Sequence, residues 1–161
     1  MTTPEDRLAA LGLELPPPMM APPGVRLPFA FINVREGRAL ISGHPGTGPD
    51  GNISGPHGVV GQDMSTREAM DEARGVGLSI LSNFKAEIGD LSRVTGWVRV
   101  FGMVNSAPGY TEQHVVLNGM SDLIIDVFGP EIGRHARSAI GVAGLPMGLA
   151  MEIEGEVLIA P

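Results

Sequence analysis

The densest group of residues able to do chemistry is Gly133-Arg134-His135-Ala136-Arg137-Ser138. Two arginines and a histidine at the start of a strand-like segment could grip a carboxylate or phosphate through paired N–H donors. The same residues would serve equally as a solvated turn held by surface ion pairs. Strand alternation places Arg137 and Ala139 on one face and Ser138 and Ile140 on the other, so Arg137 and Ser138 cannot both reach one pocket. A second polar row, Glu152, Glu154 and Glu156, occupies one parity of the last segment. Three like charges in a row usually form a solvated face. One of them could instead meet Arg137 across adjacent strands, or orient a water.

Other chemistries lack their residues. The chain has no cysteine, which removes disulfides, thiolate metal sites and thiol nucleophiles. Its four histidines, His44, His57, His114 and His135, show no metal-ligand spacing, and no metal or cofactor is expected. Gly46-Thr-Gly48 lacks the Lys-Ser/Thr ending of a phosphate loop. Asp50-Gly-Asn-Ile-Ser-Gly lacks the terminal glutamate of a calcium loop. No Gly-x-Ser-x-Gly elbow is present. The net charge is −7, from 11 basic against 18 acidic side chains, and aromatics are 4%. Without a basic stripe or stacking rings, neither nucleic acid nor an anionic membrane is an expected partner. No apolar run approaches the roughly 20 residues of a membrane span. The first residues lack a basic-then-apolar signal layout, so a cytoplasmic location is expected.

The elements that must position Arg137 and the glutamates can be read from periodicity. At 161 residues the chain fits one domain. Thr3-Pro4-Glu5-Asp6 opens a short N-terminal helix with a capping hydroxyl, proline at the first turn and acids at the positive end of the dipole. Leu8, Leu11 and Leu13 give it an apolar side. Pro16-Pro17-Pro18 stops it, and a proline-rich connector over 19–24 follows. The segments 29–33 and 39–42, joined by Arg35-Glu36-Gly37, read as a hairpin. Residues 44–61 read as a long loop rich in Gly and Pro, functional or flexible. Ser65-Thr-Arg-Glu68 is a capping box. The helix behind it carries Ala69, Ala73, Val76, Ile80, Leu81, Phe84 and Ile88 at helical spacing and stops at Gly89. Gly75 and Gly77 within it would let it lie close on a sheet.

Residues 93–104 form a long strand. Val94, Val98, Val100 and Val104 share one parity; Trp97, Phe101 and Met103 share the other, so both faces are apolar. A second helix over 113–128 points Val116, Met120, Leu123, Ile124, Val127 and Phe128 inward and ends at Gly129-Pro130. A short strand over 136–142, a turn over 144–148 and an alternating strand over 151–159 complete the chain. The fold class is therefore α+β: one mixed sheet with two helices packed on one face, plus the short N-terminal helix. Two helices can cover only one face. The apolar second face of the long strand requires self-association.

Three blocks carry a family resemblance. Leu40-Ile-Ser-Gly-His44 is similar to an early strand ending in Ser-Gly, and 94–104 to a long central strand. Ala136-Arg-Ser-Ala-Ile-Gly-Val-Ala-Gly-Leu-Pro146 followed by Met151-Glu-Ile-Glu154 is the most distinctive. In these features the chain resembles the RidA/YjgF family of reactive-intermediate imine deaminases, also described as endoribonuclease-like. The N-terminal helix, Val115-x-x-Asn-Gly-x-Ser-Asp122 and Gly-Arg-His-Ala-Arg-Ser138 resemble its larger, chorismate-mutase-like subgroup. On this reading 1–23 is a helix and connector, and 24–161 is the family domain.

The resemblance implies a homotrimer with clefts between subunits and a small carboxylate or imino acid as ligand. The arginine matching Arg137 would pair with the substrate carboxylate. The glutamate matching Glu152 would position the water that attacks an imine carbon. Gly43, with Ser42, Ala139 and Asn118, would line the pocket. The implied reaction is hydrolysis of an enamine or imine to a 2-oxo acid and ammonia. Ala139 stands where many deaminase-active members carry cysteine, and no residue clearly matches their N-terminal pocket tyrosine, so the pocket is expected to differ. A non-catalytic trimer that binds or senses a small carboxylate is the alternative. A ribonuclease fits the acidic composition least.

Overall fold

The computed structural model describes residues 2–21 and 23–160; Met1, Pro22 in the connector, and Pro161 lie outside it. The elements in chain order are α1 (Pro4–Ala10), β1 (Ile32–Arg35), β2 (Arg38–His44), β3 (Gly46–Thr47), β4 (Ile53–Gly55), α2 (Thr66–Ile88), β5 (Val94–Asn105), α3 (Gln113–Val116), α4 (Asn118–Phe128), α5 (Pro130–Gly133), β6 (Ala136–Val142) and β7 (Met151–Ile159). The main sheet runs β1-β2-β7-β5-β6. Its last pair, β5–β6, is parallel and the others are antiparallel. The mixed sheet and the two long helices, α2 and α4, are those the periodicity requires.

Helix α2 starts as its sequence dictates. Ser65 accepts from the backbone N–H of Glu68, while the Glu68 carboxylate accepts from the backbone N–H of Ser65 at 2.8 Å. All seven residues of its expected apolar stripe are buried. The glycines act differently from expectation. Gly77 meets α4 rather than the sheet: a Cβ there would sit 2.6 Å from Met120 Sδ, and Gly75 faces open space. On the α4 side, a Cβ at Gly119 would lie 1.8 Å from the Met70 carbonyl oxygen. The two helices therefore touch backbone to backbone, which only glycine allows.

Strand β5 departs from simple alternation. Register shifts between Val94 and Gly96 and between Trp97 and Arg99 insert extra residues against β7. Trp97 consequently joins Val94, Val100 and Val104 in the core, and Val98, expected with them, is 36% exposed. Beyond the bulges alternation returns: Val100, Gly102 and Val104 are buried, and Phe101 and Met103 are half-buried on the open face.

Three further expectations are corrected. The first strand begins at Ile32, and Phe29 is exposed, edge-on to Phe31. The 44–61 stretch contains the β3–β4 ribbon, anchored where the backbone N–H of Thr47 donates to Ser79 Oγ of α2 at 2.9 Å. Such a short ribbon carries no alternation of its own, and the contact that fixes it is long-range. In α1, Leu8 is buried but Leu11 is exposed. Glu5 of α1 pairs with Lys85 at 3.3 Å and accepts from the N–H of Leu91 at 3.1 Å. The N-terminal segment thus packs against the helical layer.

Candidate functional site

Arg137 leaves the sheet on the side covered by helices. On β6 it lies beside Val100, a core residue of β5, so its side chain points toward α3 and α4. Its Nη1 donates to Asn118 Oδ1 at 3.1 Å and to Ser121 Oγ at 2.8 Å; its Nη2 donates to the His114 carbonyl at 2.9 Å. All three acceptors are neutral, and no salt bridge to Arg137 is present among the described residues. A guanidinium has five N–H donors. Nε takes part in none of these bonds and Nη2 in one, so the guanidinium's uncommitted donors lie on Nε and Nη2, the edge on which a carboxylate can be taken as a fork. Burial pulls the Arg137 pKa down and Asp122 acts in the opposite sense; a guanidinium stays charged in proteins regardless. Asn118 opens α4, and Ala139 sits two residues along β6, half-buried against the core. Arg137, Asn118 and Ala139 therefore lie on the same side of the sheet, around one end of α4.

Glu152 lies on the opposite face. Its neighbours Met151 and Ile153 are fully buried toward the helices, so alternation turns Glu152 to the open side. Across the sheet it faces Met103 on β5. On the β2 side a Cβ built at Gly43 would come 3.0 Å from Glu152 Oε2, so the missing side chain at Gly43 makes room for the carboxylate. Glu152 is half-buried, its carboxylate takes part in none of the side-chain hydrogen bonds or ion pairs among the described residues, and burial pushes its pKa above the ordinary carboxylate value. Its neighbours in the row differ: Glu154 faces Phe101, and Glu156 pairs with Arg38.

The expectation that Arg137 and a glutamate meet across adjacent strands does not hold within one chain. Strand β5 separates β6 from β7, and the two side chains leave the sheet on opposite faces. The crossover through α4 deposits β6 on the outer side of β5, whereas β7 returns antiparallel along its inner side.

Ser42 and Gly43 lie where β2 shifts register against β7. Ser42 Oγ donates to the Ala30 carbonyl at 2.7 Å. The bulge is held from beneath by His44, which belongs to the strand and not to a flexible loop, and is completely buried. Its Nδ1 lies 2.6 Å from the Ser42 carbonyl, which can only accept, so the proton is on Nδ1. Nε2 then accepts from the Asn83 amide at 3.0 Å, and Asn83 Oδ1 accepts from the N–H of Met19 at 2.6 Å. Nothing in the local sequence marks His44 for this role. Ser121 is likewise not marked by its residue type, and only its spacing of three from Asn118, which places both on one helix face, points to it.

His44 gives a pH prediction. Burial lowers its pKa, so the fold favours the neutral ring and the unfolded chain takes up the proton first as pH falls. Its contribution to stability is complete above about pH 6.5 and is lost as pH drops through the folded value. Urea midpoints should fall between pH 7.5 and 5.5. His44→Asn should be less stable at pH 7.5 yet show a flatter dependence; an unchanged slope would assign the titration elsewhere.

A mixed sheet backed on one face by two long helices, with its other face open, defines a chorismate-mutase-like α+β protein. The chain belongs to the family described as YjgF/chorismate mutase-like, putative endoribonuclease, whose model matches residues 5–151. A protein of unknown function from Agrobacterium tumefaciens is 34% identical and superposes with a TM-score of 0.85, covering 99% of this chain and 94% of that one. A putative endoribonuclease from Shewanella oneidensis is 29% identical, also with a TM-score of 0.85, covering 98% and 99%. Protein TCP17 of Trypanosoma cruzi is 47% identical over 100 residues, which are 62% of this chain and 62% of that protein. The match thus spans less than two thirds of that relative's length. No helix among the described residues is long and apolar enough to cross a membrane.

Proposed function

We propose that this protein hydrolyses an enamine or imine of a small carboxylate-bearing metabolite to a 2-oxo acid and ammonia. The observation that carries the reading is the Arg137 guanidinium, held by three neutral acceptors with one forked edge uncommitted. That edge suits a carboxylate and fixes the orientation of the atoms attached to it. Glu152 supplies the other requirement: a desolvated carboxyl group with a raised pKa and no fixed partner. It accepts a proton from the attacking water as the C–O bond forms. It passes that proton to the nitrogen of the carbinolamine formed from the protonated imine, then takes the carbinolamine's hydroxyl proton as the C–N bond breaks, leaving C=O and ammonia. The test is an imino acid generated in situ, with release of 2-oxo acid or ammonia followed over the uncatalysed background. No acceleration across a panel of imino acids would remove the reading.

Because Arg137 and Glu152 lie on opposite faces, a site using both is built between copies. The β6 edge of one subunit would approach the open face around Glu152 of the next. That face exposes Leu40, Val98, Ile140 and Leu158 and carries Phe101 and Met103 half-buried. A homotrimer closes such a heterologous contact into a ring. Light scattering at micromolar concentration should give about three times the 16.8 kDa chain mass. A monomer mass would leave the site incomplete and refute the intersubunit arrangement.

Ala139 favours a second reading, because deaminase-active members of the resembled family often carry cysteine there. In that case the trimer binds a small carboxylate without turnover. Calorimetric binding in the absence of product release would select it. Ribonuclease activity is opposed by the net charge of −7.

A further inference from the structure

His135 has no part in the reaction described, yet through Ser121 it forms a chain that ends on Arg137. The His135 Nδ1 lies 2.7 Å from the Gly133 carbonyl, an obligatory acceptor, so Nδ1 carries the proton and Nε2 is bare. Ser121 Oγ is 3.0 Å from Nε2, and its hydroxyl must therefore donate there. This turns the serine lone pairs away from the ring, where one accepts from Arg137 Nη1 at 2.8 Å. The ring is half-buried, with Trp97 tilted toward it at 6.5 Å between centroids. Burial first, and Arg137 in addition, lower its pKa, which keeps it neutral at neutral pH. The direction of each donor is thus settled: the Gly133 carbonyl fixes the tautomer, the tautomer fixes the hydroxyl, and the hydroxyl fixes one arm of the guanidinium.

We infer that His135 is a positioning residue, acting through the Ser121 hydroxyl to hold the carboxylate-binding edge of Arg137 in place. This rests on the reading of Arg137 as the carboxylate anchor. A serine whose hydrogen has no fixed acceptor rotates, and in some rotamers presents that hydrogen to a guanidinium that can only donate. Arg137 then keeps Asn118 and the His114 carbonyl but loses its shortest tie, and its free edge is no longer preorganised for the ligand.

The test uses the full chain, with pyruvate as the carboxylate probe in calorimetry and ¹⁵N-arginine NMR of the ligand-free protein. His135→Asn keeps an amide donor near the Gly133 carbonyl but cannot reach Ser121 as an acceptor. His135→Gln can place its amide oxygen where Nε2 was. We expect His135→Asn and Ser121→Ala each to weaken pyruvate binding about five- to tenfold, the scale of one hydrogen bond. His135→Gln should recover to within about twofold of the parent, and the Asn/Ala double variant should bind no worse than Ser121→Ala alone. A merely structural role would give no Gln rescue and additive losses, and either result overturns the inference. So does parent-like binding in His135→Asn. Without ligand, hydrogen exchange at Arg137 Nε–H should be faster in both His135→Asn and Ser121→Ala. If it is unchanged in Ser121→Ala, the relay is refuted even where a histidine variant fails to fold. If Arg137→Ala itself binds pyruvate normally, the anchor reading fails, and the exchange measurement still decides whether the relay exists.

Discussion

Arg137→Ala is expected to abolish carboxylate binding, by about 100-fold or more, while leaving the protein folded and assembled. Each hydrogen bond to a charged group contributes about 1.5–3 kcal/mol, and the uncommitted edge of Arg137 offers two at once. The substitution also removes the guanidinium's positive charge from the site. Its cost to stability is smaller, because the side chain is only half-buried and the acceptors it leaves, on Asn118, Ser121 and His114, can turn to water. Arg137→Lys should restore binding only partly, since an ammonium keeps the charge and loses the fork. Pyruvate titration by calorimetry, with circular dichroism and light scattering as controls, makes the comparison. Unchanged affinity in the alanine variant would place the ligand elsewhere, with the exposed Arg134 as the next candidate.

Glu152→Gln is expected to keep ligand binding and lower imine hydrolysis by roughly 100-fold or more, the usual scale for a general acid–base group. The amide preserves the shape and hydrogen-bonding capacity beside Gly43 and Met103 but cannot carry a proton through the reaction. Glu154→Gln should be nearly neutral, because Glu154 points the same way but stands opposite Phe101, one alternation further along β7. The pH profile adds a second signature. Burial raises the Glu152 pKa, so the rate should rise with pH as this carboxylate ionises, at higher pH than an exposed glutamate would. That limb should vanish in Glu152→Gln. Single-turnover hydrolysis by both variants beside the parent decides the matter. Damage from Glu154→Gln would move the site along the strand. Loss from neither would leave the glutamate row a solvated face and assign water activation to backbone groups or to the substrate.

The legible part of this protein is the part governed by local periodicity. The α2 stripe, its capping box, the α4 face and the alternation of β7 follow from side-chain spacing alone, because a helix or strand one residue out of phase would expose its apolar set. Arg137, Asn118 and Ala139 proved to be neighbours, and so did Gly43 and Glu152. Each pair of segments that holds them was identifiable from its own residues.

The tertiary structure decided what depends on partners distant in the chain. Two register shifts in β5 placed Trp97 in the core and Val98 outside, an outcome that a count of parity cannot foresee because a bulge is defined against the paired strand. The β3–β4 ribbon and His44 owe their order to Ser79 and Asn83 of α2, about thirty to forty residues away. Strand order settled the largest question. The sequence determined that Arg137, able to grip an anion, and Glu152, able to orient a water, lie on the strands that became β6 and β7. Only the tertiary structure set β5 between those strands and, through the register of each against β5, turned Arg137 with Val100 to the helix side and Glu152 with Met103 to the open side, so that no single copy can bring them together.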